Sequence, residues 1–165
     1  MDYFIVLIFG LIFGSFINAF VWRINVKTKK INKNKVELSI LKGRSMCPDC
    51  RHQLSALDLI PLLSWVGLRG KCRYCKKPIS YQYPLVELLT ALLFLLSYIY
   101  WPYKLDFLGY SLFAIWLIII LYFVSLAIYD IKYKLLPNIM VYVANYLILA
   151  FVIIQFIFQS FNLSF

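Results

Sequence analysis

Apolar residues run through this chain in four long blocks, with the polar residues gathered between them. The first block, Tyr3 to Trp22, carries no charge over 20 residues. As a helix it is long enough to cross roughly 30 Å of hydrocarbon. The second, Pro84 to Trp101, holds one ionisable residue, Glu87. Phe107 to Tyr129 and Ile139 to Phe158 are uncharged, the last following a Pro137-Asn138 break. Tyr3, Trp22, Tyr83, Trp101, Tyr103 and Tyr129 stand near the block ends, where an interfacial aromatic belt belongs. The pattern predicts an all-α polytopic membrane protein with four transmembrane helices. The first occupies 1–22, a polar loop follows over 23–83, and helices two to four lie within 84–165. No basic residue precedes the first block and no Ala-x-Ala-like site follows it. It is therefore expected to be retained as a helix rather than cleaved as a signal peptide.

Composition agrees and narrows the class. Of 165 residues, 63% are hydrophobic, 19% aromatic and only 15% charged, which disfavours a water-soluble globule and excludes a disordered chain. Six Gly and six Pro without a period exclude a collagen-like one. The formal charge is +10, and 14 of the 17 Lys and Arg fall between residues 23 and 82. The connector over 130–138 adds Lys132 and Lys134, while the connector near Lys104 has one basic residue. By the positive-inside rule, residues 23–82 and 130–138 are expected in the cytoplasm and both termini outside. The basic run from Lys27 to Lys35 lacks aromatics for base stacking, and no DNA-binding motif accompanies it. Topology and attraction to anionic lipid explain it, so the expected partner is membrane lipid, with no nucleic acid.

The polar loop carries Cys47-Pro48-Asp49-Cys50 and Cys72-Arg73-Tyr74-Cys75, two Cys-x-x-Cys turns separated by 21 residues. That spacing is close to a zinc ribbon's. Two thiolates on each turn complete a tetrahedron around zinc, and a module of about 60 residues with few large apolar residues gains folding energy from the metal. Two disulfides or a redox pair are the alternatives. A cytoplasmic location works against the first, and the lack of a βαβ pattern against the second. With Cys47, Cys50, Cys72 and Cys75 all used as ligands, the zinc is structural. His52, the one histidine, reads as a solvated loop residue. Between the turns, the apolar run Leu57 to Leu68 is too short to span. It either lies at the membrane interface or packs on the ribbon.

Three polar positions stand at the blocks. Gly10, Gly14 and Asn18 share one face of the first helix, a pattern that lets another backbone approach while Asn18 hydrogen-bonds across the contact. Glu87 follows Pro84 in the first turn of the second helix, where the helix dipole favours a carboxylate. Structural and functional roles both remain open for it. Asp130 ends the third helix, where the dipole disfavours an acid. It is either functional or an exit residue paired with Lys134.

These segments together resemble the prepilin peptidases, the type IV leader peptidase/N-methyltransferases. The resemblance is carried by Gly14-Ser15-Phe16-Ile17-Asn18 with Arg23, Arg44-Ser45-Met46-Cys47-Pro48-Asp49-Cys50, and Asp58-Leu59-Ile60-Pro61-Leu62-Leu63-Ser64-Trp65. It continues in Leu68-Arg69-Gly70-Lys71-Cys72-Arg73-Tyr74-Cys75, Pro78-Ile79-Ser80, Tyr83-Pro84-Leu85-Val86-Glu87-Leu88-Leu89, and Asp130-Ile131-Lys132 through Leu136-Pro137-Asn138. The resemblance implies a multi-pass enzyme of the bacterial inner membrane that uses two aspartates at the cytoplasmic face. Such enzymes cut the basic leader from prepilin or pseudopilin substrates and methylate the new N-terminus with S-adenosylmethionine. Asp130 maps onto the first catalytic aspartate. Gly70 and Lys71 map onto a stretch associated with methyl transfer, and Asn18, Arg23 and Glu87 are candidates for methyl transfer or substrate binding.

One departure accompanies the match. The family's second aspartate stands in a Gly-x-Gly-Asp motif on a later helix, whereas no acid follows Asp130 here and no Gly follows Gly109. The expectation is a chain not proteolytic by itself: a truncated or frameshifted gene product, one half of a split enzyme completed by a separate chain, or a shortened relative. Two copies of Asp130 meeting in a homodimer form a further alternative. The competing functional readings are a non-catalytic zinc-bearing membrane subunit that binds prepilins or assembly partners, and methyl transfer alone.

Overall fold

The computed structural model describes residues 2–28, 45–134 and 138–162. Five helices account for most of them: α1 (Asp2–Thr28), α2 (Leu63–Gly67), α3 (Gln82–Ile99), α4 (Phe107–Tyr133) and α5 (Asn138–Asn162). A 3₁₀ turn, Ala56–Leu59, precedes α2. Among the described residues there is no strand, only isolated antiparallel bridges Met46–Gln53 and Lys71–Pro78. Four helices are long and apolar enough to cross a membrane, over Asp2–Val26, Gln82–Ile99, Phe107–Tyr133 and Asn138–Ile157. The protein is a multi-pass membrane protein, as the hydrophobic blocks predict.

The helices outrun the apolar blocks. α1 continues past Trp22 to Thr28, and α4 past Tyr129 to Tyr133. A charge ends a hydrophobic block without ending a helix, because Lys and Arg are good helix formers. α3 begins at Gln82, which puts Glu87 in its second turn rather than its first. The basic cluster over 29–44 and the Leu135-Leu136-Pro137 segment lie outside the described residues.

The chain divides into two compact units, Met1–Ile99 and Tyr100–Phe165. In the first, α1 and α3 run antiparallel, with Tyr3 edge-on to Tyr98 at one end and Asn18 bonded to the Tyr83 carbonyl at the other. Gly10 and Gly14 make this approach feasible. A Cβ on Gly10 would stand 2.5 Å from the Ala91 Cα, and one on Gly14 2.7 Å from the Glu87 Cα. Val86, Glu87, Thr90, Ala91 and Phe94 form the buried face of α3, while Phe4, Phe9, Ile12 and Phe16 of α1 are exposed on its outer side. Dispersion between closely apposed backbones holds such a pair in lipid, where burial of apolar surface gains little. Gly14→Leu should therefore separate α1 from α3. A thermal midpoint lowered by several degrees in detergent, with metal content checked in parallel, is the expected result.

In the second unit, α4 and α5 form an antiparallel hairpin. The Tyr122 hydroxyl donates to the Met140 carbonyl at 2.9 Å, and the Trp116 and Phe151 rings meet in a tilted pair, 5.5 Å between centroids. Asp106 caps α4 by accepting from the Gly109 amide at 2.7 Å. At the far end Lys134 takes a left-handed conformation, φ 51°, and its amide closes the last turn on the Asp130 carbonyl.

Candidate functional site

The four cysteines sit on two turns of the same design. In the first, the Cys47 amide donates to the His52 carbonyl at 3.0 Å and the Arg51 amide to the Cys47 carbonyl at 2.9 Å. In the second, the Cys72 amide donates to the Lys77 carbonyl at 2.9 Å and the Lys76 amide to the Cys72 carbonyl at 3.0 Å. The residue after each second cysteine, Arg51 at φ 57° and Lys76 at φ 60°, is left-handed. This conformation folds each loop back so that both thiols face one point. A non-glycine residue there costs on the order of 1 kcal/mol, so the turns persist only where something else holds them.

A metal ion held by the four cysteines would supply that hold. The four Sγ atoms all lie within 4.8 Å of one another, and Cys47 Sγ is 3.9 Å from Cys75 Sγ. None forms a disulfide. Zinc–sulfur bonds near 2.3 Å in a tetrahedron require sulfur–sulfur separations of about 3.8 Å, so the donor set fits a tetrahedral metal. Burial pushes the Cys72 thiol up, but amides of Cys75 and Tyr74 and the neighbouring thiols outweigh it and bring it down to about 7. For Cys72 the ligand form is thus within reach near neutrality, whereas the Cys75 thiol beside it is pushed up. A metal bound to four thiolates has no open position and would serve the fold.

Side chains around the turns brace them. Lys77 Nζ meets Asp49 Oδ1 at 2.9 Å, linking the second turn to the first, though both groups are exposed and water screens the pair. Arg73 Nε meets Asp58 Oδ1 at 2.6 Å, and the Ser55 hydroxyl donates to Asp58 Oδ2 at 2.8 Å. The Asp58 side chain is only 3% exposed. Burial alone would raise its carboxyl, but the bonds from Arg73 and Ser55 prevail and hold it below the usual range. His52 is exposed and lies against the Tyr74 ring at 3.7 Å between centroids.

Gly70 has a structural duty. Its φ is +66°, and a Cβ there would stand 2.9 Å from the Trp65 ring, whose Nε1 donates to the Ile79 carbonyl at 3.2 Å. Gly70→Ala should cost roughly 1–3 kcal/mol of module stability, read as earlier release of metal to a chelator. Lys71 is exposed beside it, its main chain bridging to Pro78.

Asn18, Arg23 and Glu87 are all buried in the first unit. Asn18 Nδ2 donates to the Tyr83 carbonyl at 3.2 Å, as the first-helix pattern predicts. Glu87 Oε2 accepts from the Leu62 amide at 2.8 Å, and the Ser15 hydroxyl is a further partner. Sequence reasoning missed the Leu62 contact, because nothing in Pro61-Leu62 announces an amide that needs an acceptor. Asp130 belongs to the second unit. It is exposed in the last turn of α4, and among the described residues its carboxylate forms no ion pair, so the alternative of pairing with Lys134 is not realised.

Residues 8–101 match the family model of the bacterial peptidase A24 N-terminal domain. The chain belongs to that family. Among curated relatives, it is 37% identical over 138 residues to the type 4 prepilin-like proteins leader peptide-processing enzyme of Escherichia coli, covering 79% of this chain and 49% of that one. It is 41% identical over 103 residues to a prepilin leader peptidase/N-methyltransferase of Aeromonas hydrophila, covering 54% and 36%. It is 40% identical over 132 residues to one of Myxococcus xanthus, covering 79% and 34%. The chain spans half or less of the length of these relatives. No solved structure gives a significant match.

Proposed function

We propose that this chain is the part of a prepilin leader peptidase/N-methyltransferase that carries the zinc module and the first catalytic aspartate. The observation that supports it most is the family match over 8–101 together with relatives so named aligned over about four fifths of the chain. In this reading residues 23–82 and the Asp130 end of α4 face the cytoplasm across a bacterial inner membrane. The substrates are prepilins or pseudopilins, whose leader is cut just before their hydrophobic segment. Zinc is the metal held by Cys47, Cys50, Cys72 and Cys75, and its chemistry there is to cross-link the two turns.

Cleavage is an aspartic-protease reaction. Two carboxyl groups at close range cannot both ionise, so one is the base and the other the acid. Asp130, exposed to water at a helix end, takes the proton of the attacking water. The protonated partner polarises the scissile carbonyl and then passes a proton to the leaving amine. That partner is the aspartate of a Gly-x-Gly-Asp segment, supplied by further sequence or by a separate chain. Methylation of the freed amine with S-adenosylmethionine is assigned to the module side. There Lys71 is accessible, Gly70 shapes the turn, Glu87 holds the module to α3 through the Leu62 amide, Asn18 ties α1 to the start of α3, and Arg23 is buried in the same unit.

Co-expression of the chain with a fragment carrying Gly-x-Gly-Asp and a prepilin tests the proposal. Leader removal that needs both pieces is expected. Failure of cleavage with both pieces in the membrane, joined to prepilin capture that survives Asp130→Asn and is lost with Cys72→Ser, would instead establish a non-catalytic binding subunit.

A further inference from the structure

The segment between the two cysteine turns has an unusual surface. Leu57 is 65% exposed, Leu63 70% and Val66 65%, and Leu59 and Ile60 are exposed beside them. Its one acid, Asp58, is withdrawn from solvent and paired with Arg73. A small module in water would not present five large apolar side chains within ten residues.

The depth of this segment is fixed by Glu87. α3 is an 18-residue span, about 27 Å long, so nearly its whole length is needed to cross roughly 30 Å of hydrocarbon. Glu87 stands five residues inside the end that bears the module, about 7.5 Å along the axis. The bond from the Leu62 amide to Glu87 Oε2 at 2.8 Å therefore holds Leu62 at the depth of the acyl–headgroup boundary. Leu62 also has a positive φ, 58°, and its amide would lack a water partner at that depth. Glu87 supplies the acceptor. Trp65 and Tyr81 pair at 4.9 Å next to the start of α3, as amphipathic aromatics do at a membrane interface. Arg69 and Lys71, both exposed, follow the segment and suit phosphate headgroups.

We propose that Leu57–Val66 is an interfacial wedge, anchored by the Leu62–Glu87 bond, whose apolar side chains sit among phospholipid acyl chains while the four-cysteine centre stays in water. The wedge stands independently of the peptidase reading, since it rests only on α3 being a membrane span. It keeps the cysteine module at a fixed height over the bilayer.

The test is photo-crosslinking of the full chain in vesicles of phosphatidylcholine and phosphatidylglycerol. Benzoylphenylalanine is placed at Leu63, Val66, Leu92 or Lys77, and metal content is measured for each variant to verify the fold. Lipid adducts at Leu63 and Val66 are expected within about twofold of those at Leu92 in α3, and about tenfold above those at Lys77. Yields at Leu63 and Val66 as low as at Lys77 would overturn the proposal. So would products linked to protein instead of lipid, which would make the surface a protein interface.

Discussion

Cys72→Ser should abolish metal binding and unfold the module while leaving the membrane helices intact. Cys72 is 3% exposed, and over residues 45–81 the buried apolar side chains are Cys47 and Cys72 themselves. Among the described residues the module has no other core to fall back on. Its turns also carry positive-φ backbone at Arg51, Leu62, Arg69 and Lys76, which must be over-determined by their surroundings. Structural zinc contributes on the order of 10 kcal/mol in comparable small sites, more than hydrogen bonds and exposed ion pairs here can replace. Purified wild type should carry about one zinc per chain and Cys72→Ser below about a tenth of that. Protease cutting between 45 and 81 should rise in the variant, with little change in helical circular dichroism. Full metal content in Cys72→Ser would contradict the four-thiolate centre.

Asp130→Asn has the opposite profile. Asp130 is exposed and forms no ion pair among the described residues, so its loss should change stability by no more than about 0.5 kcal/mol. Asparagine keeps the shape but cannot accept the proton of water. In the complemented enzyme, cleavage should fall by about a thousandfold or more, in line with losses when a catalytic base is removed. Prepilin capture and metal content should stay at wild-type levels. An activity loss accompanied by aggregation would instead mark Asp130 as structural.

Much of this was legible in the sequence, because a lipid environment leaves few options. Apolar blocks of about 20 residues with at most one charge have to be helices in hydrocarbon, and the four spans follow. Cys-x-x-Cys turns announce their ligands by spacing, and the shared 25-residue offset also matches Arg51 to Lys76, the left-handed positions. Gly10 and Gly14 could be read as a packing face because helical periodicity is regular. What stayed hidden depends on contacts between distant segments. The bond from Leu62 to Glu87 joins a turn to a helix 25 residues away, and the duty of Gly70 appears only once Trp65 lies over it. Neither follows from local propensity or period.

The assignment of Asp130 to the catalytic pair is tested most directly by the N-terminal mass of a prepilin co-expressed with this chain and a Gly-x-Gly-Asp fragment. The predicted result is a leader-free product with wild-type Asp130 and only the uncut precursor with Asp130→Asn. Equal cleavage by the two, or none with either while both pieces are present in the membrane, would contradict it.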